Sequence, residues 1–106
     1  MSDIIRKIAD EFVGLAQEDY VGLWVLLWLL KQYTFETDPE RLRVTALSIL
    51  ADLLGRQLIV AGEFTPNYEF IIWTDPVDAV IREIETQWQQ LDREPSGGDI
   101  AWFISP

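Results

Sequence analysis

Apolar residues recur every three or four positions in the first segment of the chain, at Ile5, Ile8, Phe12 and Leu15 or Ala16. This spacing places them on one face of a helix. Ser2 or Asp3 precedes the segment, and either side chain can accept hydrogen bonds from the first backbone N–H groups of a helix. The pattern therefore predicts an amphipathic first helix with one buried face.

The second segment, YVGLWVLLWLL from Tyr20 to Leu30, contains eleven uncharged residues between two charged ones. As a helix it would be about 16 Å long, too short for a hydrocarbon core of about 30 Å. We predict a central helix extending to about Tyr33 and covered on several sides, with Trp24 and Trp28 in the core. A buried strand is the alternative, because a short apolar run has no diagnostic period.

Two later helix starts share the sequence TDP. Asp38 and Asp75 are each expected to cap a helix whose first residue is the following proline. The helix after Asp38 has an apolar stripe made of Leu42, Ala46, Ile49, Leu50, Leu53 and Leu54. It should end near Gly55, since glycine readily adopts the left-handed conformation found at helix C-termini.

The period then changes to that of a β-hairpin. Leu58 to Val60 predicts a first strand, Gly62 a bulge or turn, TPNYE a turn, and EFIIW a second strand. The helix after Pro76 has one apolar stripe, formed by Val77, Val80, Ile81, Ile84, Trp88 and Leu91. EPSGG then breaks the chain, and DIAWFI predicts a short strand beside the hairpin.

This order of elements predicts an α+β fold. Its three-helix core followed by a β-hairpin is winged-helix-like, with an added C-terminal helix and a short terminal strand. The chain has 106 residues, of which 49% are apolar. That length and composition predict a single domain over residues 1–106 with a sizeable core.

The C-terminal part of the chain carries a distinctive set of residues, which are Trp73, Trp88, Arg93, Pro95, Gly98, Asp99, Ile100, Trp102 and Phe103. A helix, a hairpin ending in Trp, a helix with an internal Trp and a closing P-x-x-G-D-I-x-W-F follow one another. In this, about the last 60 residues resemble a small bacterial family of largely uncharacterised proteins. The resemblance implies a role as an immunity partner encoded beside polymorphic toxin genes, and it supplies no catalytic residue.

Charge argues against a DNA-binding use of the hairpin. The net charge is −10, and no basic residue lies between Gln57 and Ile81, whereas a wing contacts phosphates through Lys and Arg. The same acidity argues against an anionic membrane surface. The third predicted helix offers Arg41 and Arg43 near its start, so a winged-helix-like transcriptional regulator using these two residues is the alternative.

The chain contains neither cysteine nor histidine. Thiol nucleophiles, Cys or His zinc sites and histidine acid–base catalysis are therefore excluded. The remaining carboxylates have ordinary roles at helix starts and on solvated faces, so we expect no catalytic residue, no metal and no cofactor. Lack of cysteine suits the cytoplasm, and the N-terminal residues do not follow the pattern of a signal peptide.

Five tryptophans are many for a chain of this length. Trp73, Trp88 and Trp102 are expected to pack together and fasten the C-terminal half. Phe64 and Tyr68, near the predicted hairpin tip, are better candidates for exposure than any tryptophan.

A rim of acidic residues would surround this tip, formed by Glu63, Glu69 and Asp75. The sequence therefore predicts a non-catalytic protein-binding module whose acidic, aromatic hairpin tip, with Phe64 and Tyr68, binds a partner with a basic surface. An immunity protein that covers the basic cleft of a toxin is its most concrete form. The apolar second helix also makes a homodimer possible.

Overall fold

The computed structural model describes residues 2–106 and has an α+β fold. Its four helices are α1 Asp3–Glu18, α2 Leu23–Thr34, α3 Pro39–Gly55 and α4 Val77–Gln90. Its four strands are β1 Val21–Gly22, β2 Val60–Phe64, β3 Phe70–Ile72 and β4 Trp102–Ile104. The strands form one antiparallel sheet.

Two of the three predicted helix caps are confirmed. The Ser2 side chain accepts a hydrogen bond from the backbone N–H of Ile5 at 3.2 Å, and Asp38 accepts one from Glu40 at 3.1 Å. The cap predicted at Asp75 is wrong. Pro76, with ψ at 152°, is still extended, so α4 begins one residue later and has no side-chain cap.

The end of α3 also differs in detail from the prediction. Gly55 is the last helical residue, and the left-handed residue is Gln57, with φ of 60°. A hydrogen bond of 3.0 Å from the backbone N–H of Leu58 to the carbonyl of Leu53 closes this turn. Because the turn uses the residues up to Leu58, β2 begins only at Val60.

The sheet has the order β1-β4-β2-β3. The terminal strand lies beside the hairpin, as predicted, but it also pairs with β1, a two-residue strand that the sequence did not predict. Its central residue Phe103 lies opposite Val21 on one side and Ala61 on the other, and all three are buried. The Phe103 ring contacts that of Phe12 on α1, with 5.6 Å between centroids. This face of the sheet therefore packs on the helices.

The opposite face of the sheet bears Trp102, Phe64 and Phe70, because side chains alternate along a strand. Gly62 lies in β2 between these aromatic residues and forms no bulge. A Cβ atom at Gly62 would be 2.3 Å from the carbonyl oxygen of Ile71 and 2.6 Å from the Phe70 ring. Glycine is therefore required here for close packing.

Helix α2 is only partly enclosed. Its leucines enter the core, where Leu23, Leu26, Leu27, Leu29 and Leu30 are buried. The prediction that Trp24 and Trp28 are core residues is wrong, since they are 41% and 52% exposed. Helices α1 and α3 and strand β1 contact α2, and they leave the side bearing the two tryptophans open.

The three C-terminal tryptophans do not pack together, contrary to the prediction. Trp88 is 9% exposed and lies beside Leu27 and Leu42. Trp73 lies at the other end of α4, beside Val77, and Trp102 lies on the outer face of the sheet. Each fastens a different part of the fold. Between residues 2 and 106, no helix combines the length and apolar character needed to cross a membrane.

Candidate protein-binding surface

The hairpin tip is a tight turn held by Thr65. The Thr65 hydroxyl accepts hydrogen bonds from the backbone N–H groups of Asn67 and Glu69, at 3.2 and 3.1 Å. Tyr68 is 88% exposed and has a left-handed backbone, with φ of 63°. The Tyr68 side chain is hardly packed against the protein, and the left-handed region is unfavourable for a residue other than glycine. Its ring therefore projects into solvent, as the sequence predicted.

Phe64 lies in an aromatic cluster instead of projecting from the tip. Its ring centroid is 4.9 Å from that of Tyr20, 5.2 Å from that of Phe70 and 5.6 Å from that of Trp102. We call these four residues the hairpin cluster. Phe64 is half-buried, so the expectation that it is more exposed than any tryptophan is wrong.

The acidic residues predicted to surround the tip are spread over different faces. Glu63 is next to Phe64 in β2, so its side chain points to the opposite face of the sheet. There its carboxylate accepts a hydrogen bond of 3.1 Å from the indole N–H of Trp73. Asp75 lies further away, beside a cleft of about 300 Å³ between the hairpin and α4. Only Glu69 shares the turn with Tyr68.

A groove between α1 and α2 was not predicted from the sequence. Four partly exposed apolar residues line it, Leu15, Tyr20, Trp24 and Trp28. We call it the tryptophan groove. It consists of two adjoining hollows of about 390 and 550 Å³ that share Leu15, Glu18 and Trp28.

Carboxylates line the α1 side of the tryptophan groove. Glu11, Glu18 and Asp19 line it, and its described lining contains no lysine or arginine. None of the three forms an ion pair within residues 2–106. The groove thus combines exposed aromatic area with negative charge that the neighbouring side chains do not neutralise.

One end of the groove is fixed by a tyrosine. The Tyr33 hydroxyl donates a hydrogen bond to the Glu11 carboxylate, and this bond raises the pKa of Tyr33. Lys7, one turn before Glu11, lies over the Tyr33 ring, 5.2 Å from its centroid. These contacts hold α1 against the C-terminal turns of α2.

Tyr20 connects the tryptophan groove to the hairpin cluster. It lines the groove beside Trp24, and its ring lies 4.7 Å from that of Phe70. The aromatic surface is therefore continuous from Trp28 on α2 to the hairpin. A sequence signal for it exists, because α2 has apolar residues on every side and a helix needs only one apolar face to enter a core.

The two arginines of the alternative DNA-binding hypothesis have anionic neighbours. Arg43 is 17% exposed and pairs with Glu40 at 2.5 Å and Glu85 at 3.5 Å, which joins α3 to α4. Arg41 is more exposed and lies 3.7 Å from Asp38 and 3.8 Å from Glu36.

Contacts within the C-terminal P-x-x-G-D-I-x-W-F segment and with the preceding Arg93 hold the loop before β4 in place. Arg93 pairs with the Asp99 carboxylate, which also accepts a hydrogen bond of 3.0 Å from the backbone N–H of Ser96. The hydrogen bond from Arg93 lowers the pKa of Asp99 most, and the one from Ser96 lowers it further. The loop is thereby closed on itself just before β4 enters the centre of the sheet.

Within residues 2–106, no three acidic side chains are grouped closely enough to hold a metal ion. No family model matches this chain, and neither a search of curated proteins nor a search of solved structures finds a match.

Proposed function

We propose that this protein is a non-catalytic protein-binding module that acts in the cytoplasm as an immunity-type protein, covering the basic cleft of a toxin. The observation that carries the proposal is the tryptophan groove. Leu15, Tyr20, Trp24 and Trp28 expose apolar area there beside carboxylates that have no ion-pair partner among the described residues.

Aromatic anchors and charge would have different roles in binding. Tryptophan and tyrosine are enriched among the residues that contribute most to binding energy, because they bury a large rigid area. A net charge of −10 would accelerate encounter with a basic partner and make the association rate sensitive to salt. The C-terminal segment resembles a small bacterial family of largely uncharacterised proteins, and the immunity role that this resemblance implies would involve the same class of partner.

The hairpin extends this surface. Tyr68 and Glu69 lie at its tip, and the hairpin cluster joins the tip to the tryptophan groove through Tyr20. Phe64 would support the surface from within the cluster. Glu63 and Asp75, on other faces, would contribute long-range charge.

No observation favours the alternative of a winged-helix-like regulator. Arg41 and Arg43 already have carboxylates beside them, and DNA phosphates would have to compete with these partners. We therefore do not extend the proposal to nucleic acid.

The test is co-expression with the products of the neighbouring genes. We expect one of them to arrest growth when expressed alone and to be neutralised when this protein is present. The purified pair should form a complex whose association rate falls as salt is raised, measured by stopped-flow fluorescence. If no adjacent gene product is neutralised, the proposal is wrong.

A further inference from the structure

We propose that the tryptophan groove is the docking site for a positively charged amphipathic helix of the partner. This inference rests on the proposed function, since it names the element that the protein-binding surface recognises.

The shape of the groove favours a helix. Trp24 lies near Glu18, Trp28 near Leu15 and Tyr33 near Glu11, so α1 and α2 run antiparallel. The backbone groups of both helices are already paired internally. An extended segment in the groove would find no backbone partner for its own N–H and C=O groups. A third helix satisfies its own backbone and can pack its side chains between the two.

Gly14 gives an independent argument. It lies within α1, where glycine is less stable than alanine by about 0.5–1 kcal/mol. Apart from its two chain neighbours and the backbone of its own helix, no atom lies within 4 Å of the position that its Cβ would occupy, so packing against the rest of the protein does not require glycine there. Gly14 lines the groove beside Leu15 and Trp28. Its missing side chain lets a partner's helix approach the α1 backbone closely.

Charge decides between a partner and a second copy of this chain. The rim residues Glu11, Glu18 and Asp19 would face one another across a symmetric dimer, and each copy has a net charge of −10. The complementary occupant is a helix with an apolar stripe flanked by lysine or arginine. Glu11 and Asp19 are about 12 Å apart along α1 at 1.5 Å per residue, so two to three turns of the occupant would span the rim.

The experiment uses the whole 106-residue chain and a model peptide of about 15 residues, long enough for partial helicity. Its leucines follow i, i+3, i+4 and i+7 spacing and its flanks are lysines; a twin peptide has glutamate at every lysine position. Binding is followed by the indole N–H signals of the 15N-labelled protein, assigned with Trp24→Phe and Trp28→Phe. We expect the lysine peptide to shift the signals of Trp24 and Trp28 while that of Trp88 stays in place.

Two substitutions at one position separate docking from general charge attraction. Gly14→Tyr fills the groove without changing the charge, and we expect it to weaken peptide binding about tenfold or more. Gly14→Ala is the comparison variant: it adds only a methyl group to the groove, so we expect it to weaken binding much less than Gly14→Tyr does. Circular dichroism of both variants verifies that the fold is retained.

A second matched pair tests the rim. Glu18→Gln removes a rim charge, and Glu83→Gln removes an exposed charge from α4. We expect the first to weaken binding about threefold at low salt and the second to have a smaller effect. Equal effects would contradict a specific acidic rim.

The inference is overturned if the signals of Trp24 and Trp28 do not move, if the glutamate twin binds equally well, or if Gly14→Tyr binds like Gly14→Ala. It is also overturned if these two signals respond to protein concentration alone and sedimentation shows a dimer. Toxin neutralisation that survives Gly14→Tyr would reject the groove but keep the proposed function. If the peptide binds but no neighbouring gene product is neutralised, the groove is kept as a docking site and the proposed function is rejected.

Discussion

Two regions of this protein use tryptophan in opposite ways. In the C-terminal region, Trp88 lies on the buried stripe of α4 and is 9% exposed. In the tryptophan groove, Trp24 and Trp28 lie one turn apart on α2 and are about half exposed. The same residue type thus closes the fold in one region and faces solvent in the other.

The difference shows which apolar residues a fold requires. Helix α4 has polar residues opposite its buried stripe, so its one aromatic side chain, Trp88, packs in the core and adds nothing to the exposed surface. Helix α2 enters the core through leucines and has further apolar residues on its outer side. Apolar area beyond what the core uses is what an interaction surface needs, and this contrast can be tested one residue at a time.

The largest expected effect is that of Trp88→Ala. Truncating a buried tryptophan removes its apolar contacts and leaves a cavity beside Leu27 and Leu42. We expect a loss of about 3–5 kcal/mol in the free energy of unfolding, measured by urea denaturation followed by circular dichroism. Peptide binding at the groove should not change in the fraction that remains folded. A loss below about 1 kcal/mol would contradict the structural role of Trp88.

Trp28→Ala should be less destabilising, although the same side chain is removed. About half of its surface is already in water, so the loss on unfolding should be about 1–2 kcal/mol. The same denaturation assay measures it, with Trp28→Phe as the control that keeps an aromatic ring. Peptide binding should weaken about tenfold. If Trp28→Ala and Trp88→Ala destabilise equally, the contrast between the regions fails.

The C-terminal region should also respond to pH through Asp99. Hydrogen bonds from Arg93 and Ser96 hold the pKa of Asp99 below its ordinary value. A carboxylate whose pKa is lower in the folded state stabilises the fold at neutral pH, and this contribution is lost as pH falls through the folded-state pKa. Asp99→Asn should therefore reduce stability by about 1 kcal/mol at pH 7.

The pH dependence provides the control for this variant. The two proteins should begin to converge below about pH 4, the ordinary range for aspartate, where Asp99 of the unfolded chain takes up a proton, and the gap should close as pH falls further through the lower folded-state pKa. Thermal unfolding at several pH values measures this convergence. A gap that stays constant down to pH 2 would mean that the Asp99 charge is not responsible.

Much of the framework could be predicted from sequence because local chemistry determines it. Ser2 and Asp38 cap their helices, the hairpin follows from turn residues, and the terminal strand lies beside it as expected. Asp75 failed as a cap because Pro76 stays extended, a choice that the TDP sequence alone does not decide. Strand β1 was missed because two residues have no periodicity, and its pairing depends on the distant β4.

The candidate site was harder to predict for a physical reason. Periodicity identifies the outer side of a helix by its polar residues, and the central part of α2 has none. Trp24 and Trp28 therefore looked like core, and only the placement of α1, α3 and β1 showed which side stays open. Tyr68 was placed correctly because its turn is local. Phe64 was not, because Tyr20, which packs on it, is 44 positions earlier.

The smallest expected effect is a gain in stability from Gly14→Ala. Alanine in a helix interior is favoured over glycine by about 0.5–1 kcal/mol, and no neighbour lies where its Cβ would be. Urea denaturation should show this increase, with Gly55→Ala, at the last residue of α3, as a control at a second open position. If the free energy of unfolding rises when Gly14 is replaced, the fold does not need glycine at this position. A destabilised Gly14→Ala variant would mean that the fold itself requires glycine at this position, and the argument from Gly14 for a docking groove would fall.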